Sequence, residues 1–154
     1  MTRHCFWFGL ILSLVAFPLH FAWELGQCRL FFVHTGLPPS YRDMIVAAMG
    51  DILITLAIFG LCAARQRSWN WISAPLRTWP WLFFSWFSFF ISVAIERIAL
   101  SMDRWTYTVN APLVPLVKTS WLPTAQLIFL IPIIFLLTKF LIMGLVCREQ
   151  NYFQ

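Results

Sequence analysis

Charged residues are scarce in this sequence, and their scarcity limits the kind of protein that it can encode. Only 11% of the 154 residues are Asp, Glu, Lys or Arg, whereas 60% are hydrophobic. The mean hydropathy is +0.76. In ordinary soluble domains about 25% of the residues are charged. The composition therefore excludes an ordinary soluble domain and indicates an integral membrane protein.

Motifs for metal binding, redox chemistry and nucleic-acid binding are also missing. The four cysteines are far apart in the sequence and include no Cys-x-x-Cys pair, and the three histidines form no His-x-x-x-His pattern. The net charge is +5, but the basic residues form no continuous tract. We therefore predict no metal ion, no cofactor and no nucleic-acid partner.

Long apolar runs are what the sequence has in abundance. A helix of about 20 mostly apolar residues crosses the hydrocarbon core of a membrane, and four such runs are found at 5–25, 44–64, 80–100 and 122–146. The connections between them are too short for a soluble domain. We predict an all-α integral membrane four-helix bundle that forms one domain over residues 1–148. Residues 149–154 are interpreted as a tail resembling the remnant of a cleavage tag.

The first run is interpreted as a retained helix that ends near Gly26. Polar residues interrupt its end, and no small-x-small cleavage site follows. Four spans would place both termini on one side of the membrane. Basic residues are slightly more numerous on that side, so the positive-inside rule predicts cytoplasmic termini and a bacterial inner-membrane location.

Two connections carry local structural signals. Ser40 and Asp43 have the spacing of a helix capping box at the start of the second helix. Pro112 and Pro115 lie in the long connection after the third helix, and proline is poorly tolerated inside a helix. We therefore predict an extended path or a shallow interfacial segment there, and not a fifth span.

Three carboxyl groups are predicted to converge in the outer leaflet. Helices one and three run outward and helix two runs inward, so Glu24, Asp51 and Glu96 lie at similar depth. A carboxylate that faces lipid costs at least ~2.5 kcal/mol, so each should face the bundle interior. His20 and Gln27 support this, because they share one helix face with Glu24 at i, i+4 and i+7.

These residues define a predicted polar pocket. The candidate catalytic residues are Glu24, Asp51 and Glu96. The predicted ligand-binding residues are His20, Trp23, Gln27, Arg97, Arg104, Trp105, Tyr107 and Gln126. Carboxyl groups crowded in a low-dielectric site can hold different protonation states, so Glu24 and Asp51 are expected to share proton transfer. Either Arg97 or Arg104 is expected to hold Glu96 ionised.

The layout resembles that of EXPERA-domain membrane proteins. The resemblance rests on an acid in "FAWELGQ", an acid in "AAMGDILIT" and the proline-containing last helix "LIFLIPIIFLL". That family includes sterol isomerases and a ligand-binding receptor with a cavity open to lipid. The resemblance implies that Glu24 and Asp51 are cavity acids and that the ligand is lipid-like. We therefore expect binding of an isoprenoid-like or sterol-like molecule. Acid–base conversion of that molecule is an open alternative to binding alone, and it rests on the crowded carboxyl groups and not on the resemblance.

Three alternatives remain open at this stage. Arginines could simply neutralise the acids and hold the helices together, as in a non-catalytic assembly or transport subunit. Arg29, Arg42, Arg97 and Arg104 could instead line an opening for anionic lipid headgroups. The chain could also form a homo-oligomer or bind a partner helix. Since it has no inverted repeat, an autonomous transporter is not expected.

Overall fold

Four long helices form the body of the protein. The structure, a computed structural model, describes the backbone of residues 2–34, 37, 39–73 and 78–151, and the side chains of residues 7–34, 37, 39–72 and 83–144. The helices are α1 (Thr2–Phe31), α2 (Tyr41–Gln66), α3 (Thr78–Ser101) and α4 (Trp121–Asn151). Each contains a segment long and apolar enough to cross a membrane. The four segments indicate an integral membrane protein.

The helices cover all four predicted spans but extend beyond them. The prediction that the first helix ends near Gly26 is wrong, because α1 continues to Phe31. Side chains of residues 27 and 28 bond back to Glu24, three and four residues earlier, and this spacing requires helical backbone. At the other end of the chain, α4 includes residues 149–151, and residues 152–154 of the predicted tail lie outside the described residues.

Both ends of α2 carry hydrogen-bonded caps. The Asp43 N–H donates to Ser40 Oγ at 3.2 Å, and the Ser40 N–H donates to Asp43 Oδ2 at 2.9 Å. These reciprocal bonds confirm the predicted capping box. At the other end Arg67 adopts a left-handed conformation with φ 51°, and the N–H of Ser68 donates to the carbonyl of Ala63 at 3.0 Å.

The helices form an incompletely closed bundle. Helix α1 packs against both α2 and α4, and α4 packs against α3, whereas α2 and α3 have little contact with each other. A short 3₁₀ helix, Trp71–Ser73, contacts α2 and α4. The order around the bundle is therefore α2, α1, α4 and α3, with an open side between α2 and α3.

Aromatic side chains fill the half of the bundle next to the 3₁₀ helix. The Trp71 ring lies 5.5 Å from Phe135 and 5.7 Å from Phe59, measured between ring centroids. Phe84 completes the group at 5.0 Å from Phe135. These rings are almost fully buried, and aromatic pairs at such distances add stability beyond their burial. This half is apolar, so the polar chemistry is confined to the opposite half.

Short strands join the loops over that opposite end. Strand β1 (Phe32–Val33) pairs antiparallel with β2 (Thr106–Tyr107), and β3 (Leu113–Val114) pairs with β4 (Thr119–Ser120). We call these two pairs together the cap. The 101–120 connection thus consists of short strands and turns and contains no fifth span, as predicted. Phe32 lies opposite Tyr107 with their rings 5.4 Å apart, so the cap connects the end of α1 to the chain that follows α3.

The capping box of α2 can be tested by substitution. We expect Ser40→Ala to lower the free energy of unfolding by about 1 kcal/mol, because it removes the acceptor for a helix N-terminal N–H. Ser40→Thr keeps a hydroxyl acceptor and is the matched control. The measurement is SDS-induced unfolding of the purified protein in mild detergent. Equal stability of Ser40→Ala and wild type would contradict a stabilising role for this cap.

Candidate functional site

Two glutamine side chains connect α1 to α4 in the capped half of the bundle. The Trp23 indole N–H donates to Gln27 Oε1 at 3.0 Å. Gln27 Nε2 therefore faces inward, where it donates to Glu24 Oε1 at 2.7 Å and to Gln126 Oε1 at 3.0 Å. Gln126 is 1% exposed. These bonds orient both amide groups, since each oxygen accepts from a definite donor.

The same glutamine extends the network to α2. Gln126 Nε2 donates to Asp51 Oδ2 at 2.7 Å and lies 3.2 Å from His20 Nδ1. The Thr55 hydroxyl donates to the Asp51 carbonyl at 2.8 Å, and the other ring nitrogen of His20 lies 3.1 Å from that hydroxyl. Because the hydroxyl proton is used, Thr55 accepts from His20 Nε2–H. His20 is therefore assigned as the neutral Nε2–H tautomer.

This tautomer decides how His20 and Asp51 interact. Their Nδ1 and Oδ2 atoms lie 3.7 Å apart. Both atoms accept hydrogen bonds from the Gln126 amide. They are therefore two acceptors that share one donor group, and they do not form an ion pair. His20 is completely buried. Its role in this arrangement is to position its two hydrogen-bond partners, Thr55 and Gln126.

The Glu24 carboxyl has a partner for each oxygen and lies beside Asp51. The Cys28 thiol donates to Glu24 Oε2 at 2.9 Å, while Gln27 occupies Oε1. Glu24 and Asp51 line the same cavity from α1 and α2, and the amides of Gln27 and Gln126 connect them. Glu24 is 4% exposed, and the Asp51 side chain is 17% exposed. The two groups form a carboxyl pair, which is the arrangement that favours sharing of one proton.

Glu96 is held by the cap. The Tyr107 hydroxyl donates to Glu96 Oε2, and the Ser120 N–H donates to the Tyr107 oxygen at 3.0 Å. The Trp105 indole N–H lies near the same carboxyl but has no hydrogen-bond partner of good geometry. Glu96 thereby joins the end of α3 to β2 and, through Tyr107, to β4.

The predicted pairing of Glu96 with an arginine is not formed. Arg97 Nη1 donates to the Val117 carbonyl at 3.2 Å. Neither Arg97 nor Arg104 makes an ion pair with a carboxylate among the residues that the structure describes. Successive residues on a helix point about 100° apart, so Arg97 leaves the interior face that Glu96 occupies. The acids of this half are held by neutral donors.

A cavity of about 830 Å³ connects these groups. All four helices and the loops at the capped end contribute to its wall. The predicted site residues that line it are Glu24, Gln27, Asp51, Glu96, Arg104, Trp105 and Gln126. His20 and Trp23 lie behind the wall and bond to residues in it. Tyr107 bonds to the lining residue Glu96, and Arg97 lies outside the lining.

Several lining residues were not predicted from the sequence. Cys28 follows Glu24 by four residues, and this helical spacing could have identified it. His34 and Leu37 of the first loop also line the cavity, but no sequence pattern connects a loop residue to a distant helix. Apolar wall residues are contributed mostly by the helices, and they are Val46, Ala47, Ile54, Ile95, Pro123 and Leu127, with Phe32 from β1.

Metal binding has little support in this geometry. Within the described part of the chain, no group of three or more His, Cys, Asp or Glu side chains is arranged to hold a metal ion. The carboxyl oxygens of Glu24 already accept from a thiol and an amide. What the site offers is hydrogen-bonded carboxyl groups around an apolar space, which suits proton transfer or recognition of a polar group on a mostly apolar molecule.

Comparison with known proteins identifies no relative. No family model, no curated protein and no solved structure matches the chain. The resemblance to EXPERA-domain proteins therefore stays a prediction, and the site is interpreted from its geometry.

Gln126 is the residue whose loss should disturb the network most. Its side chain makes three hydrogen bonds to α1 and α2, and an interhelical bond in a membrane bundle is worth about 0.6 kcal/mol on average, so Gln126→Leu should cost about 2 kcal/mol. Ser92→Ala removes a single bond to Thr124 and is the control. SDS-induced unfolding measures both. The network would not be stabilising if Gln126→Leu cost no more than Ser92→Ala.

The Tyr107 phenol should lose its proton at a higher pH than an ordinary tyrosine. Burial, followed by the hydrogen bond to Glu96, raises the pKa of Tyr107 above its ordinary value of about 10. The stabilisation from this phenol is therefore complete below pH ~10 and is lost as pH rises through the higher pKa of the folded state. Alkaline spectrophotometric titration should show a late component that Tyr107→Phe abolishes and Tyr41→Phe retains. If the late component survives in Tyr107→Phe, this assignment is wrong.

Proposed function

We propose that this integral membrane protein binds a lipid-like small molecule, of isoprenoid or sterol type, in the cavity between its helices. The supporting observation is that carboxyl groups from α1, α2 and α3 line one cavity of about 830 Å³. Cavities of roughly 300–1,000 Å³ with mostly apolar walls and a few polar groups are typical of small-molecule sites. Carboxyl groups at membrane depth are costly, which favours a functional role for them.

The open side of the bundle supports access from the bilayer. Val46 on α2 is 64% exposed and Ile95 on α3 is 41% exposed, and both also line the cavity. Because α2 and α3 have little contact, an apolar molecule can move between them without crossing water. In this proposal the protein lies in a bacterial inner membrane with its termini in the cytoplasm, and the cavity opens in the outer leaflet.

Acid–base conversion of the bound molecule is the chemistry that we infer for this site. Glu24 and Asp51 share a proton and exchange it with the ligand, while the two glutamine amides keep the carboxyl oxygens in place. Glu96 belongs to α3 on the other side of the cavity from α1 and α2. Carboxyl groups on two walls allow a proton to be added at one carbon and removed at another.

Mass spectrometry of copurifying molecules tests this function. From mild detergent, wild type should carry a lipid-like compound, and Glu24→Gln and Asp51→Asn should each reduce its occupancy about tenfold, as expected for the loss of one charge-assisted hydrogen bond. Asp103→Asn is the control, because Asp103 is exposed, lies outside the cavity lining and has φ 51°, which asparagine tolerates. Identical occupancy in wild type and both cavity variants would refute the proposal.

A further inference from the structure

The rim of the cavity carries cationic groups that its interior lacks. Arg42 is the second residue of α2, and Arg104 follows the end of α3. Both side chains are exposed, and both line the cavity. They come from the two helices that border the open side of the bundle. Positive charge therefore lies on both sides of the opening, where the Asp43 carboxylate also lines the cavity, whereas the interior wall contains the carboxyl pair.

Neither guanidinium group is used within the described structure. Arg29 lies over the ring of Tyr41 at 4.7 Å, and Arg97 donates to a backbone carbonyl. By contrast, Arg42 and Arg104 make no side-chain hydrogen bond and no ion pair with any described residue. The neighbouring Asp43 carboxylate, which also lines the cavity, accepts from Ser40 in the capping box and lies 3.9 Å from His34 Nδ1, and it makes no ion pair with either arginine. Two arginines that line the same cavity thus keep their donors free of hydrogen bonds to any described residue.

We propose that Arg42 and Arg104 form an anion subsite, and that the ligand of this cavity is an amphiphile with a phosphate or carboxylate headgroup. The inference rests on the proposed function, because it specifies the polar end of the same ligand. Guanidinium groups match the geometry of phosphate and carboxylate oxygens and form strong charge-assisted hydrogen bonds with them. A neutral sterol or isoprenoid alcohol would leave both groups without a partner.

The charge distribution also determines which way the ligand lies. An anion placed beside Glu24 and Asp51 would be repelled by any ionised carboxyl there, so the headgroup stays at the rim. The apolar body then occupies the space between Ile54 and Leu127, which line the deeper wall. This orientation directs the hydrocarbon part of the ligand toward the carboxyl pair. Substitutions at the rim should therefore change headgroup preference without disturbing the interior network.

Binding of matched probes distinguishes the headgroup from the cavity. Native mass spectrometry in non-ionic detergent would compare three probes with the same C15 isoprenoid chain, which end in a phosphate, a hydroxyl or an amine. Wild type should bind the phosphate at least about tenfold more tightly than the alcohol, as expected for a charge-assisted contact. The double variant that combines Arg42→Gln and Arg104→Gln should bind the phosphate and the alcohol with affinities that differ by no more than about twofold.

The control is Arg29→Gln with Arg97→Gln, which removes the same charge from exposed positions outside the cavity lining. It should leave the phosphate preference unchanged. Equal binding of phosphate and alcohol by wild type would overturn the anion subsite while leaving the cavity function intact, and so would a preference for the amine. If none of the three isoprenoid probes binds wild type, the proposed cavity function fails together with its headgroup.

Inorganic phosphate identifies the source of the anion. If the subsite serves a lipid headgroup, inorganic phosphate should displace the isoprenoid phosphate only at concentrations at least about tenfold higher, because it lacks the apolar body. Inorganic phosphate could instead displace the isoprenoid phosphate at equal concentration in wild type and fail to do so in the protein with Arg42→Gln and Arg104→Gln. That result would support the anion subsite and assign it to free phosphate. Displacement that is unaffected by these substitutions would contradict the subsite.

Discussion

Burial of carboxyl groups inside a bundle of apolar helices is the constraint on which this structure depends. Each such group needs hydrogen-bond donors, because an apolar interior supplies none. The protein meets this need with neutral donors: amides for Asp51 and Glu24, a thiol for Glu24 and a phenol for Glu96. Since these donors come from different helices and from the cap, satisfying the carboxyl groups also holds the capped half of the bundle together.

Neutral donors allow the carboxyl groups to gain and lose a proton, whereas arginine partners would hold them ionised. An arginine partner holds a carboxylate ionised, whereas amides, hydroxyls and thiols bond to it while its proton occupancy can still change. The carboxyl pair at the contact of α1 and α2 is thereby positioned without being neutralised. The cations that could have paired with these acids stay at the surface, where Arg97 bonds to a backbone carbonyl and Arg104 faces the cavity opening.

The two halves of the bundle divide structural and functional roles. Interlocked aromatic rings around Trp71 close one half. In the other half, side chains from all four helices line the cavity, and α2 and α3 have little contact with each other. A ligand with an apolar body and an anionic end would match both the walls of this space and the charge at its rim.

The sequence by itself determined the elements that depend on local composition. Apolar runs predicted four spans because only a helix satisfies its own backbone in lipid, and Ser40 with Asp43 predicted a cap because that motif is complete within four residues. The spacing of His20, Glu24 and Gln27 likewise predicted one polar face, because helical periodicity is a local property.

Tertiary structure alone decided the partners of those residues and the position of the cavity. Tyr107 reaches Glu96 only because β1 and β2 pair across distant loops, and no local pattern specifies that pairing. The sequence favoured an arginine for Glu96 on the basis of charge, but the direction of each side chain on α3 and the course of the following loop supply a phenol instead. The open side between α2 and α3 is also a property of packing, since both helices are apolar enough to pack against a neighbour.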